Sequence, residues 1–136
     1  MSVFRRFEDI DAWKKARTLV IEIYSLTREG AFALDYGLKD QIQRAAVSIG
    51  SNIAEGYARR GNKEFVNFLW IARGSAAEVC SQLYNVRDLG YAPAAKCKEL
   101  YDLASLISSQ IYALIQSLMP NISHQRLQPG DFNHDA

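Results

Sequence analysis

The chain has 136 residues, of which 16 are basic and 15 acidic, so its net charge of +1 excludes a globally basic nucleic-acid binder; any charged binding surface must be local. Hydrophobic residues make up 49% and charged residues 23%, which is typical of one folded domain and excludes a disordered chain. Cys80 and Cys97 stand at no metal-ligand or disulfide spacing, so we expect reduced thiols. No signal segment or bilayer-spanning run is present, so we expect a cytoplasmic protein without a membrane partner.

The first 34 residues predict a short arm, one helix and an apolar connection. The arm carries Phe4, Arg5, Arg6 and Phe7, and Asp9 or Asp11 is expected to cap the first helix. The predicted buried face consists of Ile10, Trp13, Ala16, Val20, Ile21 and Tyr24. Gly30 is expected to end the helix, and residues 29–34 are apolar enough to lie against the rest of the fold.

The second helix is predicted from about residue 36 to 58–60, with Asp35 as its cap and Gly61 as its stop. At about 100° per residue it has an apolar stripe of Leu38, Ile42, Ala45, Ile49 and Ile53. Beside this lies a polar stripe of Gln41, Arg44, Ser48, Asn52, Glu55 and Arg59. The remaining face holds Val47, Gly50, Ser51, Ala54 and Ala58 where a solvated helix would carry charges. This pattern predicts a helix covered on more than one side, and therefore assembly.

Two further helices follow, the third capped by Asn62 and closed by Gly90. Its apolar stripe is Phe65, Phe68, Leu69, Ala72, Ala76, Val79, Leu83 and Val86, and its other side holds Val66, Trp70, Gly74, Ala77, Ser81 and Tyr84. The fourth helix is predicted from about Pro93 to Leu118 and is ended by Pro120. The fold class is therefore all-α, an up-down-up-down four-helix bundle over residues 1–119, followed by a polar and disordered tail over residues 120–136.

Several of these positions match the pattern of a known family, the S23 or 23S rRNA intervening-sequence proteins, which the chain resembles over about residues 4–118. The matching residues in the first part are Phe7, Asp9, Ile10, Ala12, Trp13, Ala16, Tyr36, Gly37 and Leu38. The second helix and its turn supply Gln41, Arg44, Ala45, Ser48, Ile49, Asn52, Ile53, Ala54, Glu55, Gly56 and Arg59. The third helix supplies Phe65, Phe68, Leu69, Ala72, Gly74, Ser75 and Glu78. A Phe-Pro pair usual before Tyr36 in the family is missing, which affects the path of that loop.

The resemblance implies a homo-oligomer, typically a pentameric ring of four-helix bundles. It also implies kinship with the accessory protein of diversity-generating retroelements, which binds nucleic acid and a reverse transcriptase. The family has no well-defined biochemical role, and its ribosomal name records the location of some of its genes inside rRNA insertions.

Enzymatic chemistry finds little support in the sequence. Glu55 and Glu78 are carboxylates within apolar or small-residue helices, but a di-iron bundle needs Glu-x-x-His pairs, and both histidines (His124 and His134) lie in the tail. Ser48 and Ser75 have no histidine in the folded part to activate them. We therefore expect no catalytic residue, metal or cofactor, and expect both glutamates to pair with Arg44, Arg59 or Arg73 within or between subunits.

A local basic surface is the alternative source of function. Arg59, Arg60 and Lys63 lie in the turn after the second helix, and Arg44 and Arg73 are expected nearby, against Glu55, Glu64 and Glu78. The basic residues outnumber the glutamates, and repetition of this excess of positive charge around a ring of subunits would attract phosphate. The competing interpretation is that the glutamates neutralise Arg44, Arg59 and Arg73.

The sequence thus predicts a non-enzymatic homo-oligomeric bundle that binds RNA or DNA through these five basic residues. The alternative is a scaffold that docks a partner protein, such as a reverse transcriptase, without binding nucleic acid. The expected subunit interface is Gly50, Ala54, Ala58, Trp70, Gly74 and Ala77. The expected structural polar seam is Gln41, Ser48, Asn52, Glu55, Ser75 and Glu78.

Overall fold

The computed structural model describes residues 4–121, and all regular structure in this range is helical. Its four long helices are α1 (Asp11–Thr27), α2 (Tyr36–Ala58), α3 (Asn62–Asp88) and α4 (Ala94–Leu118), with short 3-10 turns at Phe7–Asp9, Gly30–Leu34 and Met119–Asn121. Each long helix packs against two others, in the order α1, α2, α3, α4 and back to α1. The predicted all-α four-helix bundle is confirmed. The predicted tail lies outside the described residues except for Pro120 and Asn121.

The predicted apolar stripes of α2 and α3, together with side chains of α4, form most of the core. In α2, Ile42, Ile49 and Ile53 are completely buried. Leu69, Val79 and Val86 of α3 are equally buried, and in α4 the fully buried side chains are Ala104, Ile107, Ile111 and Ile115. Burial of each isoleucine or leucine contributes about 1.5–3 kcal/mol, so these stripes supply the main driving force for the bundle.

The predicted buried face of α1 is confirmed at Ile10 and Ala16, which are buried, and is wrong at Ile21 and Tyr24. Leu19 and Ile23 point into the core, together with Ala12, Ala16 and Leu26. Ile21 is 61% exposed and Tyr24 37% exposed. Apolar residues flank the true stripe on both sides, so amphipathicity alone does not distinguish one set of helical spacings from the other.

Helix capping agrees with the sequence at α2 and differs at α1 and α3. Asp35 caps α2, because its Oδ1 accepts a hydrogen bond from the Leu38 backbone N–H at 3.1 Å. The cap of α1 is Ile10, and Asp9 instead accepts a hydrogen bond from the backbone of the arm. Gly61 rather than Asn62 caps α3, with no side-chain hydrogen bond.

The turn between α2 and α3 contains a residue in the left-handed region. Arg60 has a φ of 69°, although the following residue is Gly61, which could adopt this conformation without a steric penalty. Gly90, which follows α3, has a positive φ of 73°. Pro93 is the cap residue of α4, one position before the predicted first turn.

The two connections at one end of the bundle, residues 28–35 and 89–93, are joined to each other. The Tyr91 hydroxyl donates a 2.8 Å hydrogen bond to Asp35 Oδ2, and the Tyr91 ring stacks on Phe32 at 5.0 Å. Phe32 is completely buried, which confirms that the apolar connection lies on the bundle. The Leu38 N–H and the Tyr91 hydroxyl both stabilise the Asp35 carboxylate and lower its pKa. We call this end the latched end.

The opposite end carries the N-terminal arm, the α2–α3 turn and the end of α4. The arm is held by a 2.8 Å hydrogen bond from the Tyr57 hydroxyl to the Phe4 carbonyl.

Both cysteines are free thiols, with Cys97 buried and Cys80 half-buried. Within the described residues, no helix combines the length and apolar character that a membrane span requires.

Candidate nucleic-acid interface

The predicted polar seam lies between α2 and α3. The Ser75 hydroxyl donates to Ser48 Oγ at 2.9 Å, and Asn52 Nδ2 donates to the same oxygen at 2.9 Å. Further along, Gln82 Nε2 donates to Gln41 Oε1 at 3.1 Å and to Glu78 Oε2 at 3.2 Å. Gln82 is only 6% exposed and was missed in the sequence, where an amide four residues after Glu78 is the available signal. The bonds between Ser75 and Ser48 and between Gln82 and Gln41 join the two helices.

The two glutamates considered for chemistry are both exposed. Glu55 accepts a 2.9 Å hydrogen bond from Arg59, as expected. Glu78 accepts a 3.2 Å hydrogen bond from Gln82 Nε2 and pairs with no arginine of residues 4–121, so its expected arginine partner is not found within the single chain. Over residues 4–121, His, Cys, Asp and Glu side chains form no cluster of three or more suited to a metal.

The five predicted basic residues do not form one surface. Arg44 pairs with Asp40 at 2.8 Å and lies 15 positions before Arg59, or about 22 Å along α2. Arg73 faces α4, where its Nε donates to Ser108 Oγ at 3.0 Å and its guanidinium lies 4.4 Å from the ring centroid of Tyr112. Only Arg59, Arg60 and Lys63 remain together at the α2–α3 turn.

Within this turn, Arg59 is neutralised by acidic neighbours. Its Nη2 lies 2.9 Å from Glu55 Oε2 and its Nη1 lies 3.8 Å from Glu64 Oε1. Its guanidinium also covers the ring of Phe68 at 4.9 Å. The interpretation that glutamates neutralise the basic residues is therefore confirmed for Arg59. Arg44 is also neutralised, but by Asp40.

A different set of arginines comes together beside the turn. Arg5 and Arg6 of the arm and Arg60 of the turn line a cleft of about 740 Å³, which we call the basic cleft. Its other lining residues are Phe7, Glu8, Tyr57, Ala58, Gly61, Asn62, Phe65 and Leu118. Arg6 lies 3.4 Å from Glu8, whereas Arg5 and Arg60 form no ion pair with any residue from 4 to 121. The consecutive arginines of the arm were visible in the sequence, but the cleft depends on the docking of that arm.

The basic cleft combines charge with an apolar floor. Phe65 is 6% exposed and Leu118 is 4% exposed, so both present only an edge to the cleft. α3 begins at Asn62, on the lining of the cleft, so the positive end of its dipole adds to the guanidinium charges. This arrangement can attract and orient an anion.

The predicted interface residues of α2 lie in two places. Gly50 and Ala54 line a groove of about 340 Å³ between α1 and α2, together with Phe7, Trp13, Ala16, Arg17, Val20, Val47 and Ser51. We call this the apolar groove. A Cβ on Gly50 would lie 3.4 Å from Trp13 of the same chain, which is an ordinary contact distance, so packing within the chain does not require a glycine here. Ala58 lines the basic cleft instead.

The predicted interface residues of α3 lie on its outer side. Trp70 packs edge-on against Tyr112 of α4, with ring centroids 6.0 Å apart. Gly74 and Ala77 are exposed, and a Cβ on Gly74 would have no atom within 4 Å. Nothing inside the bundle therefore requires a glycine at this position.

Gly56 is a residue whose packing role was not anticipated from sequence. A Cβ there would lie 2.6 Å from Phe68 Cβ and 3.3 Å from the Phe65 carbonyl oxygen. The absence of a side chain allows α2 and α3 to approach closely at the end of the bundle that holds the basic cleft.

Comparison with known proteins agrees with this architecture. The family model of the 23S rRNA-intervening sequence protein matches residues 8–113, which is most of the chain. A crystal structure of a protein with unknown function from the S23 ribosomal protein family of Bacteroides thetaiotaomicron VPI-5482 matches with a TM-score of 0.70 at 22% identity, covering 76% of this chain and 97% of that chain. No curated protein matches the sequence. At this identity the solved structure supports the fold alone, whereas the family match extends over all four helices, and the chain belongs to the 23S rRNA-intervening sequence protein family.

Proposed function

We propose that the protein is a non-enzymatic, homo-oligomeric helical bundle that binds RNA or DNA through the basic cleft. The observation that carries this proposal is the convergence of Arg5, Arg6 and Arg60 in one concave surface with a single acidic residue, Glu8, in its described lining. Guanidinium groups suit phosphate because their N–H donors can bind two oxygens at once.

The expected affinity follows from the charges. Arg5 and Arg60 are free of ion pairs within the described part of the chain, and Arg6 is only partly neutralised at 3.4 Å from Glu8. Exposed Lys63, in the first turn of α3, adds a fourth charge close to the cleft. If each of these three or four cations neutralises one phosphate charge, the slope in a plot of log affinity against log salt is roughly −2 to −4 for each bound subunit.

The test is a salt series with fluorescently labelled structured RNA and duplex DNA, read by anisotropy. We expect affinity to fall steeply with salt, and Arg60→Gln to weaken binding and reduce the slope by about one. Arg44→Gln is the matched control, because it also removes an exposed arginine from the same region of sequence but lies far from the cleft. Absence of binding at low salt, or equal losses in the two variants, would exclude the basic cleft as the interface.

Homo-oligomerisation is proposed from the surfaces that the single chain leaves open. The apolar groove exposes Val47 at 41%, and α1 beside α2 exposes Ile21 at 61%, so apolar side chains remain in contact with water. Such a surface is typical of an interaction site. The family resemblance suggests a ring of five. Light scattering on the purified full chain at micromolar concentration would show a multiple of the 15.3 kDa subunit, and a monomer would exclude assembly.

A second candidate function is a scaffold that docks a partner protein, such as a reverse transcriptase. The same apolar groove supports it, because an apolar docking surface needs no nucleic acid. A purified partner should then stay bound to the protein after nuclease treatment, and Ala54→Leu should weaken this complex while Arg60→Gln does not. Loss of the complex on nuclease treatment would favour nucleic acid as the bridge.

A further inference from the structure

We infer that the basic cleft recognises the phosphorylated end of a nucleic-acid strand, that is, a nucleotide bearing a terminal phosphate monoester. This inference rests on the proposed function and adds the identity of the group that the cleft selects. It is carried by the charge, the extent and the shape of the cleft.

The charge of the lining matches a terminal phosphate. Arg5, Arg6 and Arg60 supply three positive charges against one negative charge on Glu8. A phosphate monoester carries a charge of about −1.5 to −2 at pH 7, whereas an internal phosphodiester carries a single negative charge. The surplus of two positive charges in one cleft therefore suits a monoester better than a diester.

The basic surface is also too short to follow a strand. Within the turn, Arg59 is paired with two glutamates, and further back along α2 Arg44 is paired with Asp40. Arg73 is held against Ser108 and Tyr112 of α4. A backbone-tracking interface needs a continuous positive groove. The structure instead offers one concentrated group of guanidiniums at one end of the bundle.

The shape of the cleft fits one nucleotide. Its volume of about 740 Å³ lies within the range of about 300–1,000 Å³ that is usual for small-molecule sites. The walls include Phe7 and Tyr57, which are half-buried aromatic side chains beside the arginines. Such walls can receive the base or the sugar while the guanidiniums bind the phosphate.

The experiment compares one labelled RNA hairpin in three forms, with a 5′-phosphate, a 3′-phosphate or hydroxyls at both ends, using the full chain at fixed salt. We expect a phosphorylated end to bind at least about tenfold more tightly than the hydroxyl form, since a second negative charge faces the same guanidiniums. The two phosphorylated arms show which end is selected. Competition by a free mononucleotide distinguishes a mononucleotide ligand from a strand end.

Three variants of cleft residues and one control variant test whether the preference depends on the cleft. Arg60→Gln and Arg5→Gln should abolish the discrimination between phosphate and hydroxyl ends, and Arg44→Gln should preserve it. Arg60→Gly is a second test at the turn, because glycine adopts the positive φ of this position without strain and the fold is therefore retained. Circular dichroism confirms that each variant is folded.

The outcomes separate the two proposals. Equal affinity for phosphorylated and hydroxyl ends, with salt-dependent binding intact, overturns the recognition of ends and leaves nucleic-acid binding in place. Absence of binding by all three hairpins overturns both. If Arg60→Gly and Arg5→Gln still bind phosphorylated ends more tightly than hydroxyl ends, the preference does not arise in the basic cleft and this assignment is overturned.

Discussion

Replacing Gly56 by alanine should destabilise the bundle, although alanine is the better helix former. The new Cβ would lie 2.6 Å from Phe68 Cβ, 3.1 Å from Phe65 Cδ1 and 3.3 Å from the Phe65 carbonyl oxygen. Ordinary contacts between such atoms are about 3.5–4.0 Å, so α2 and α3 must separate by about 1 Å. Two of these three atoms are a Cβ and a backbone oxygen, which cannot rotate away as the end of a flexible side chain could.

The size of the effect is a difference between two contributions. Overpacking of this kind costs about 1–3 kcal/mol, and the upper end applies because the backbone must move. The better helix propensity of alanine returns about 1 kcal/mol. We therefore expect Gly56→Ala to lower the free energy of unfolding by about 2 kcal/mol.

The assay is urea denaturation followed by far-UV circular dichroism at one fixed protein concentration. With a slope of about 2 kcal/mol per M, the midpoint should fall by about 1 M. Gly50→Ala is the matched control in the same helix, because its Cβ would meet side-chain atoms at ordinary contact distances, Trp13 at 3.4 Å and Ala16 Cβ at 3.9 Å. It should leave the midpoint unchanged or raise it. A Gly56→Ala protein as stable as the parent would refute the close approach of the two helices.

Three further predictions concern assembly, pH and the core. Ala54→Leu and Gly74→Leu should lower the mass measured by light scattering and retain helicity, and an unchanged oligomer would place the subunit contact elsewhere. The pKa of Asp35 is lowered from its ordinary value of 3.8 because the carboxylate accepts hydrogen bonds from the Leu38 N–H and the Tyr91 hydroxyl. The stability that the ionised Asp35 gives to the fold is therefore complete above pH 3.8, and it is lost as the pH falls through the lower pKa of the folded state. The melting temperature of Asp35→Asn should therefore fall less than that of the parent below pH 3.8, and parallel curves would contradict this. Phe32→Ala should cost about 3–5 kcal/mol in urea denaturation because the ring is completely buried, whereas Leu34→Ala, at a position 72% exposed, should change stability by less than about 0.5 kcal/mol.

The sequence predicted those parts of the fold in which one physical signal dominates. The residues beside the apolar stripe of α2 are polar or small apart from Val47, so its periodicity identifies Ile42, Ile49 and Ile53 as the buried face. Asp35 is the one acidic residue just before that helix and therefore the one available cap. In α1, by contrast, Ile21 and Tyr24 are as apolar as Leu19 and Ile23, and only packing against the other helices decides between them.

The candidate site was less predictable because it depends on contacts between distant parts of the chain. Charge counting near the α2–α3 turn found Arg60 but could not show that Arg73 faces α4. Arg5 reaches the same cleft because the arm is held by the hydrogen bond from Tyr57 to Phe4, across 53 positions of sequence. No local pattern predicts a contact of that range.

The hydrogen bond between Tyr91 and Asp35 has a consequence for folding kinetics. It joins residues 56 positions apart and connects the α1–α2 hairpin to the α3–α4 hairpin at the latched end. Each hairpin can form from contacts between neighbours in sequence, but this bond can form only after the two hairpins have docked. Interactions made after the transition state slow unfolding and leave the folding rate nearly unchanged. The contacts at the latched end should therefore lower the unfolding rate of the bundle and leave its folding rate nearly unchanged.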